Sequence, residues 1–347
     1  MKTIPSFSIT LLDWFEENQR ALPWRSENDP YKIWVSEVIL QQTRVNQGWN
    51  YYLSFIERFP DVKALADATL LDVLMMWQGL GYYSRARNMH STAQQIMKDY
   101  HGHFPNNYLE IRKLKGIGYY TAAAISSIAF HLPYPALDGN VLRVISRIFG
   151  IYENILLQKT VKNISQLCVR LMDKKKPGLF NQALMEFGAI QCTPKNPKCE
   201  ICPFDLQCIA LREEHIHLLP LKFLNSNLKV RFFHYFIFLK ENKTIIEQRT
   251  ENDIWKYLYQ FPMIETETAC ENPLKSLNTI SIQFENEQPV FLKEIKHKLT
   301  HQLLNIRFYV FKDFFSEIKS SWITISVKEL DNYPLPVVIK NIVKYIE

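Results

Sequence analysis

Residues 114–147, LKGIGYYTAAAISSIAFHLPYPALDGNVLRVISR, constrain the fold of this 347-residue chain more than any other stretch. A tight turn, Gly116-Ile117-Gly118, opens a helical run with small residues at Ala122, Ala123 and Ala124. A proline-broken loop, Leu132 to Pro135, then delivers one carboxylate, Asp138, into a Gly139-Asn140 turn ahead of another helix. Glycines lack a Cβ and let the turn backbone come close to a partner. Free N–H groups at the start of the next helix can hold a phosphate oxygen. The segment reads as a grip on a nucleic-acid backbone that sets Asp138 beside a nucleotide. An ordinary helix-turn-helix packing corner with a solvated aspartate fits the hairpin alone equally well.

A net charge of +6 and a pI near 8.8 permit a polyanionic partner without requiring one. The length predicts two domains, each able to bury a core. Six cysteines are too few for a disulfide scaffold, and four of them cluster within 17 residues as Cys192-x6-Cys199-x2-Cys202-x5-Cys208. That pattern points to a metal site in a reducing compartment. The N-terminal MKTIPSFSITLLDWF lacks a signal h-region, and no apolar run approaches ~18 residues, so a cytoplasmic protein is expected.

Ser8 is expected to cap a helix through about Asn18. Asp29 with Pro30 is a strong start signal for a second helix, YKIWVSEVILQQTRV, in which Glu37 sits among apolar residues. Further helices are expected at about 46–58, 61–66, 70–77, 84–99, 160–173 and 178–190. Between two of them lies Gln78-Gly79-Leu80-Gly81-Tyr82-Tyr83-Ser84-Arg85, either a tight turn with a core tyrosine or a wedge for a base stack. Residues 210–230 read as a polar linker. Beyond it come β-rich runs, Phe232 to Leu239, Thr244 to Gln248 and Ile306 to Phe311, and a closing helix after Pro336.

Thiolate clusters hold zinc or iron–sulfur centres. Here a single cysteine pair is two apart and the outer ligands stand off, which favours [4Fe–4S] over zinc. Lys195 and Lys198 inside that loop are either phosphate contacts or plain surface lysines, and Cys168 and Cys270 are expected as core thiols. Glu37 and Asp138 form a candidate acid pair. Cleaving a bond at C1′ needs one acid to protonate the leaving group and one carboxylate to face the oxocarbenium. A buried glutamate has its pKa raised and keeps a proton near neutral pH, whereas a better solvated turn aspartate stays ionised. A base inside a duplex must first be flipped out.

Together the hairpin with Asp138, the VSEVILQQT helix, the GLGYYSRARN loop and the cysteine cluster resemble the MutY-type adenine DNA glycosylases of the helix-hairpin-helix base-excision superfamily. The resemblance is dense over about residues 7–220. It implies a mainly α fold: a six-helix barrel at about 23–130 and an iron–sulfur helical domain from about 1–22 and 131–215. A linker at 216–230 and an α+β Nudix-like domain at 231–347 would follow. It implies a monomer on chromosomal DNA of a bacterium, removing adenine mispaired with 8-oxoguanine or guanine.

Carried over by motif, the resemblance gives Glu37 the protonation of adenine, most plausibly at N7, and the activation of water. It gives Asp138 stabilisation of the oxocarbenium or a transient bond to C1′, with Tyr120 and Asn140 orienting the site. Trp24, Arg25, Leu40 and Gln182 would line the adenine pocket. Gln42, Thr43, Leu80 and Tyr82 would engage the opposite guanine, with Tyr82 as wedge. Gly116 and Gly118 would grip the backbone beside Lys115. The lyase members of the superfamily carry a lysine where this chain has Tyr120, so a monofunctional glycosylase is expected.

The C-terminal part is similar to the family's Nudix-like domain through WKYLYQFP (255–262) and Leu299-Thr300-His301. Thr300 and His301 would read 8-oxoguanine, while Leu299 replaces the usual phenylalanine. No Nudix-box pattern is present, so pyrophosphate hydrolysis is not expected. Rival readings are an endonuclease III-like glycosylase acting on oxidised pyrimidines or T:G mismatches, and a non-catalytic iron–sulfur DNA-binding or redox-sensing protein.

Overall fold

The computed structural model describes residues 4–223, 228–269, 289–312 and 319–346. They divide into two compact units, Met1–Ala68 with Arg87–Leu224, and Thr69–Ala86 with Asn225–Glu347.

The first unit is helical. It holds α1 (Ile4–Asn18), α2 (Pro30–Leu40), α3 (Val45–Arg58) and α4 (Val62–Asp67), while α5 (Leu70–Met76) falls in the second unit. Most of α6 (Ser84–Asp99) follows, then α7 (Tyr108–Lys113), α8 (Tyr119–Ala129), α9 (Gly139–Phe149), α10 (Gln158–Leu171), α11 (Pro177–Ile190) and α12 (Ile209–Arg212). Local chemistry sets several ends. Asp29 accepts from Tyr31 N at 2.8 Å ahead of Pro30, as its sequence predicts. Gly150 closes α9 at φ 63°, where a Cβ would meet Ile209 at 2.6 Å.

The expected start of α1 is wrong. The helix begins by Ile4, and Ser8 is buried inside it, accepting a hydrogen bond from Asp173 N at 3.3 Å. A serine hydroxyl can tie a neighbouring loop as readily as it caps its own helix, and the local sequence does not distinguish the two.

α2 is buried over most of its length and packs against α3 and α8, whose alanines admit a close approach. A second core joins α1, α9, α10 and α11 through Leu11, Phe15, Ile145, Ile164 and Phe187. Phe7 stacks on Phe204 at 4.7 Å, which ties the cysteine loop to this core. The polar stretch expected as a linker is largely part of the helical body. Leu219 is 2% exposed, Ile216 and Leu221 pack beside it, and Ile155 N donates to Leu221 O at 3.0 Å. A few spaced apolar residues outweigh the polar composition between them.

The C-terminal part of the second unit is built on a mixed sheet. Its strands are β1 (Lys229–Lys240), β2 (Lys243–Gln248), β3 (Tyr259–Gln260), β4 (Met263–Thr266), β5 (Val290–Lys298), β6 (Gln302–Phe311) and β7 (Trp322–Ser326). The order is β3-β2-β1-β6-β5, with β4 on β1 and β7 on β2. β1 runs parallel to β6 from Lys229↔Gln302 to Phe238↔Phe311, and its near-continuous apolar run suits a central strand. Glu241 and Asn242, both at positive φ, make the two-residue β1–β2 turn. α13 (Val337–Val343) covers the sheet through Val338, Ile339 and Ile342. Sequence reading found the cores of β1, β2 and β6 and the closing helix, and missed β3, β4, β5 and β7.

Candidate active site

The hairpin between α7 and α8 needs its first glycine. Gly116 has φ 78°, and a Cβ there would lie 2.7 Å from Asn88 Cβ. Gly118 differs: its φ is −85°, it caps α8, and its Cβ position faces open space. Ile117 is buried between them, while Thr92 Oγ1 donates to Lys115 O at 2.6 Å and fixes the turn. The exposed backbone of Gly116 and Gly118 and the Lys115 side chain therefore face solvent together.

α2, α8, the loop before α9, and α11 enclose one cavity of about 430 Å³. Glu37, Tyr120, Asp138 and Asn140 all line it. Glu37 is 8% exposed. Burial pushes its carboxyl up to about 7; Asp138 adds to the rise, while the Tyr120 hydroxyl and the Arg25 charge oppose it. The Tyr120 hydroxyl also lies 3.2 Å from Met185 Sδ. Asp138 caps α9, accepting from Val141 N at 2.8 Å and from Asn140 Nδ2 at 2.7 Å. Asp138 is half-buried, more open than Glu37 as expected, yet not freely solvated. Burial raises its pKa, and the hydrogen bonds from Val141 and Asn140, with the Arg143 charge, work against that rise. The cap geometry, which the turn sequence does not reveal, replaces water with fixed donors.

Trp24, Arg25, Leu40 and Gln182 line the same cavity, as do Gln42 and Thr43 at the end of α2. Gln42 sits at φ 60° and is exposed. Gln182 Nε2 donates to Arg25 O at 3.3 Å. Three residues were not foreseen. Glu186, buried on α11, accepts from Arg20 Nε at 2.7 Å and Arg25 Nη2 at 2.7 Å. Arg143 Nη2 donates to Asn140 Oδ1 at 2.9 Å. Gly188 leaves room for Asn140, since a Cβ there would fall 2.6 Å from Asn140 Cβ. The only signal for Glu186 was a charge in an apolar helix, and Arg143 carried none beyond its place one turn after Asn140.

Leu80, Tyr82, Thr300 and His301 belong to the second unit. Leu80 is 7% exposed and so supports its turn from within rather than offering a side chain to a partner. Tyr82 is 48% exposed at φ 48°, and Tyr83 is the buried tyrosine. Thr300 and His301 form the exposed tip of the β5–β6 hairpin, closed by Leu299 N donating to Gln302 O at 2.8 Å. Leu299 packs on the sheet core in place of an aromatic ring. The Tyr82 and Thr300 hydroxyls are hydrogen-bonded to each other.

Residues 35–177 match the HhH-GPD superfamily of base excision DNA repair proteins, 192–204 the iron-sulfur binding domain of endonuclease III, and 234–345 a NUDIX domain. A thermostable thymine-DNA glycosylase has 31% identity and a TM-score of 0.57, over 60% of this chain and 97% of its own. An adenine DNA glycosylase of Buchnera aphidicola subsp. Schizaphis graminum is 34% identical over 348 residues, 99% of each chain. The chain belongs to the adenine DNA glycosylase family. A second such enzyme, from Buchnera aphidicola subsp. Acyrthosiphon pisum, is 36% identical over 95% of each chain.

As an adenine DNA glycosylase the chain acts in base excision repair on DNA, hydrolysing the N-glycosidic bond of adenine. Its fold is the helix-hairpin-helix glycosylase fold followed by a Nudix-like domain. Its cofactor is a [4Fe–4S] cluster, and the cysteines fit one. Cys192 and Cys208 are buried, Cys199 and Cys202 half-buried, and Cys202 senses the charge of the other three. Arg147 Nη1 lies 3.5 Å from Cys192 Sγ, placing a buried cation beside sulfurs that bind metal as thiolates. Among the described residues no three His, Cys, Asp or Glu side chains are set to share a single ion. Cys168 is a core thiol, as expected, and Cys270 lies outside the described residues. Lys195 and Lys198 are exposed. No helix of the described residues is long and apolar enough to cross a membrane.

Proposed function

We propose that this enzyme removes adenine mispaired with 8-oxoguanine or guanine, with Glu37 as general acid and Asp138 as the carboxylate facing the sugar. The observation that carries the reading is the shared cavity, in which one carboxyl is raised to about 7 and the other is held by a helix cap and an amide. The cavity is large enough for an extruded purine nucleoside. Glu37 donates its proton to the departing base, at N7 by the chemistry of a purine leaving group. The C1′–N9 electron pair leaves with adenine, and Asp138 offsets the charge on the sugar. Glu37, now ionised, takes a proton from the attacking water. Tyr120 bonds Glu37, and Asn140 bonds Asp138, so each carboxyl keeps its orientation through the cycle. Tyr120 has no amine to form a Schiff base, so the product is an abasic site with an intact strand.

Trp24, Arg25, Leu40 and Gln182 supply the wall against adenine. Gln42, Thr43, Tyr82, Thr300 and His301 supply contacts to the opposite base, and Gly116 and Gly118 hold a phosphate. When bound, the cluster orders the cysteine loop.

The test uses duplexes with A opposite 8-oxoguanine, A opposite G, T opposite G, or thymine glycol, each followed by alkali. Breaks confined to the adenine strand, and only after alkali, are expected. Cleavage at T opposite G or at thymine glycol refutes the specificity. Glu37→Gln and Asp138→Asn should each lower excision by at least ~100-fold with DNA binding retained; full activity in either variant removes that residue from the chemistry.

A further inference from the structure

Glu186 lines the same cavity as the acid pair, and its carboxylate is heavily bonded. It is 3% exposed and receives Arg20 N at 3.0 Å, Arg20 Nε at 2.7 Å, Arg20 Nη2 at 2.9 Å and Arg25 Nη2 at 2.7 Å. A buried carboxylate between two guanidiniums is costly to assemble and strongly fixed once made. Arg25 lines the same cavity as Glu37, yet its ion pair is with Glu186. Its guanidinium also lies 5.1 Å from the centre of the Phe15 ring. Its Nε is buried and has no hydrogen-bond partner among the described residues. A buried donor with no protein partner, on a side chain that lines a purine-sized cavity, is the kind of group a ligand satisfies.

We propose that Glu186 is a positioning residue: it anchors Arg25 in the cavity lining, where Arg25 Nε serves a ring nitrogen of the flipped base and the ion pair limits the pull of its charge on Glu37. This rests on the reading of Glu37 as the general acid. The groups facing Glu37 are Tyr120 from α8, Asp138 from the α9 cap, and Arg25 from the loop before α2. Behind Asp138 stands Arg143, and behind Arg25 stand Glu186 and Arg20. Of those in front of Glu37, Arg25 is the one cation, and its charge already pulls the Glu37 carboxyl down. Without Glu186 a half-buried Arg25 would lose its ion pair, its charge would act more strongly on Glu37, and Glu37 would surrender its proton at lower pH.

The experiment measures single-turnover adenine excision against pH in the full-length, cluster-bearing protein. Glu186→Gln should move the falling, alkaline limb down by about one pH unit, so that the rate loss grows to about tenfold above neutrality and shrinks at acid pH. Adding Arg25→Met to Glu186→Gln should bring the limb back up. A limb that stays in place, with the rate either unchanged or reduced equally at every pH, overturns the proposal and leaves Glu186 a purely structural group. If Glu186→Gln fails to retain its iron–sulfur absorbance, Arg25→Met alone decides: its limb must rise, and an unmoved limb refutes the coupling. Failure of the underlying reading looks different, because then Glu37→Gln would still excise adenine whatever stands at position 186.

Discussion

Arg143 donates from Nε to the backbone carbonyl of Cys192 at 2.9 Å, while its Nη2 reaches the Asn140 side-chain oxygen at 2.9 Å. One buried guanidinium thus spans from an iron–sulfur ligand to the amide that bonds Asp138, and Nη2 also holds Gly188 O at 2.7 Å. Arg143→Met would remove a hydrogen bond from each of four acceptors, Cys192 O, Gly139 O, Asn140 Oδ1 and Gly188 O, in a desolvated site. The expected loss of stability is ~2–4 kcal/mol, from several bonds of ~1–2 kcal/mol each. Excision should fall by at least ~10-fold even in molecules that keep the cluster. Thermal melting, iron content and single-turnover rate, measured on one preparation, check this. Normal excision with a lowered melting temperature would mean that the bond to Asn140 is not used in the reaction.

Glu37 gives activity and stability the same pH sign: both fall as pH rises. As a general acid it must be protonated, so excision should decline as pH rises through about 7. For stability, the folded pKa is raised above the unfolded value of 4.5. The carboxyl therefore imposes no ionisation penalty below about 4.5, and that stability is lost as pH rises from there through about 7. The rise is worth roughly 3 kcal/mol at about 1.4 kcal/mol per pH unit. Glu37→Gln should accordingly melt higher than the natural protein at pH ~8, with the gap closing towards pH ~5. Equal melting temperatures across that range would show that the carboxyl is not buried as an acid.

Gly116 fails for two separable reasons when it is replaced. Its φ of 78° strains any residue with a Cβ, and that Cβ would sit 2.7 Å from Asn88 Cβ. Gly116→Ala should cost ~1–3 kcal/mol in stability and weaken DNA binding several-fold. Adding Asn88→Gly relieves the clash but not the dihedral strain, so only partial recovery is expected. Gly118→Ala meets neither obstacle in the protein. Any loss of affinity it shows, read by fluorescence anisotropy on a duplex, therefore reports contact with the DNA itself.

What could be read from the sequence were features written in short spacings. Asp29 before Pro30 sets α2, Gly116 and Asp138 bracket α8, and the cysteine spacing marks the metal motif. Residues whose place depends on distant partners stayed hidden. Glu186 meets Arg20 and Arg25 from more than 160 positions away, and no periodicity announces that. β5 escaped because its alternation is broken by a bulge between Phe291 and Lys293, and lysines fill this edge strand. The turn around Asp138 and its lesser burial than that of Glu37 were legible, but how far it is desolvated was not, because that is decided by the packing of α9 and α11 around it rather than by its neighbours in the chain.

Thr300 carries the last expectation. It stands exposed at the β5–β6 tip, and its hydroxyl is bonded to that of Tyr82. A hydroxyl can switch from one partner to a lesion's extra polar atoms, whereas unmodified guanine offers a different pattern at the same edge. Thr300→Ala should reduce the preference for A opposite 8-oxoguanine over A opposite guanine by about 5–10-fold, the worth of one hydrogen bond of roughly 1 kcal/mol. Tyr82→Phe removes the partner hydroxyl but leaves Thr300 free to serve the lesion, so its preference should hold while the wedge remains. Competition between the two duplexes under single-turnover conditions measures both. If Thr300→Ala lowers the two rates equally, the hairpin tip contributes to DNA binding in general and does not read the damaged base.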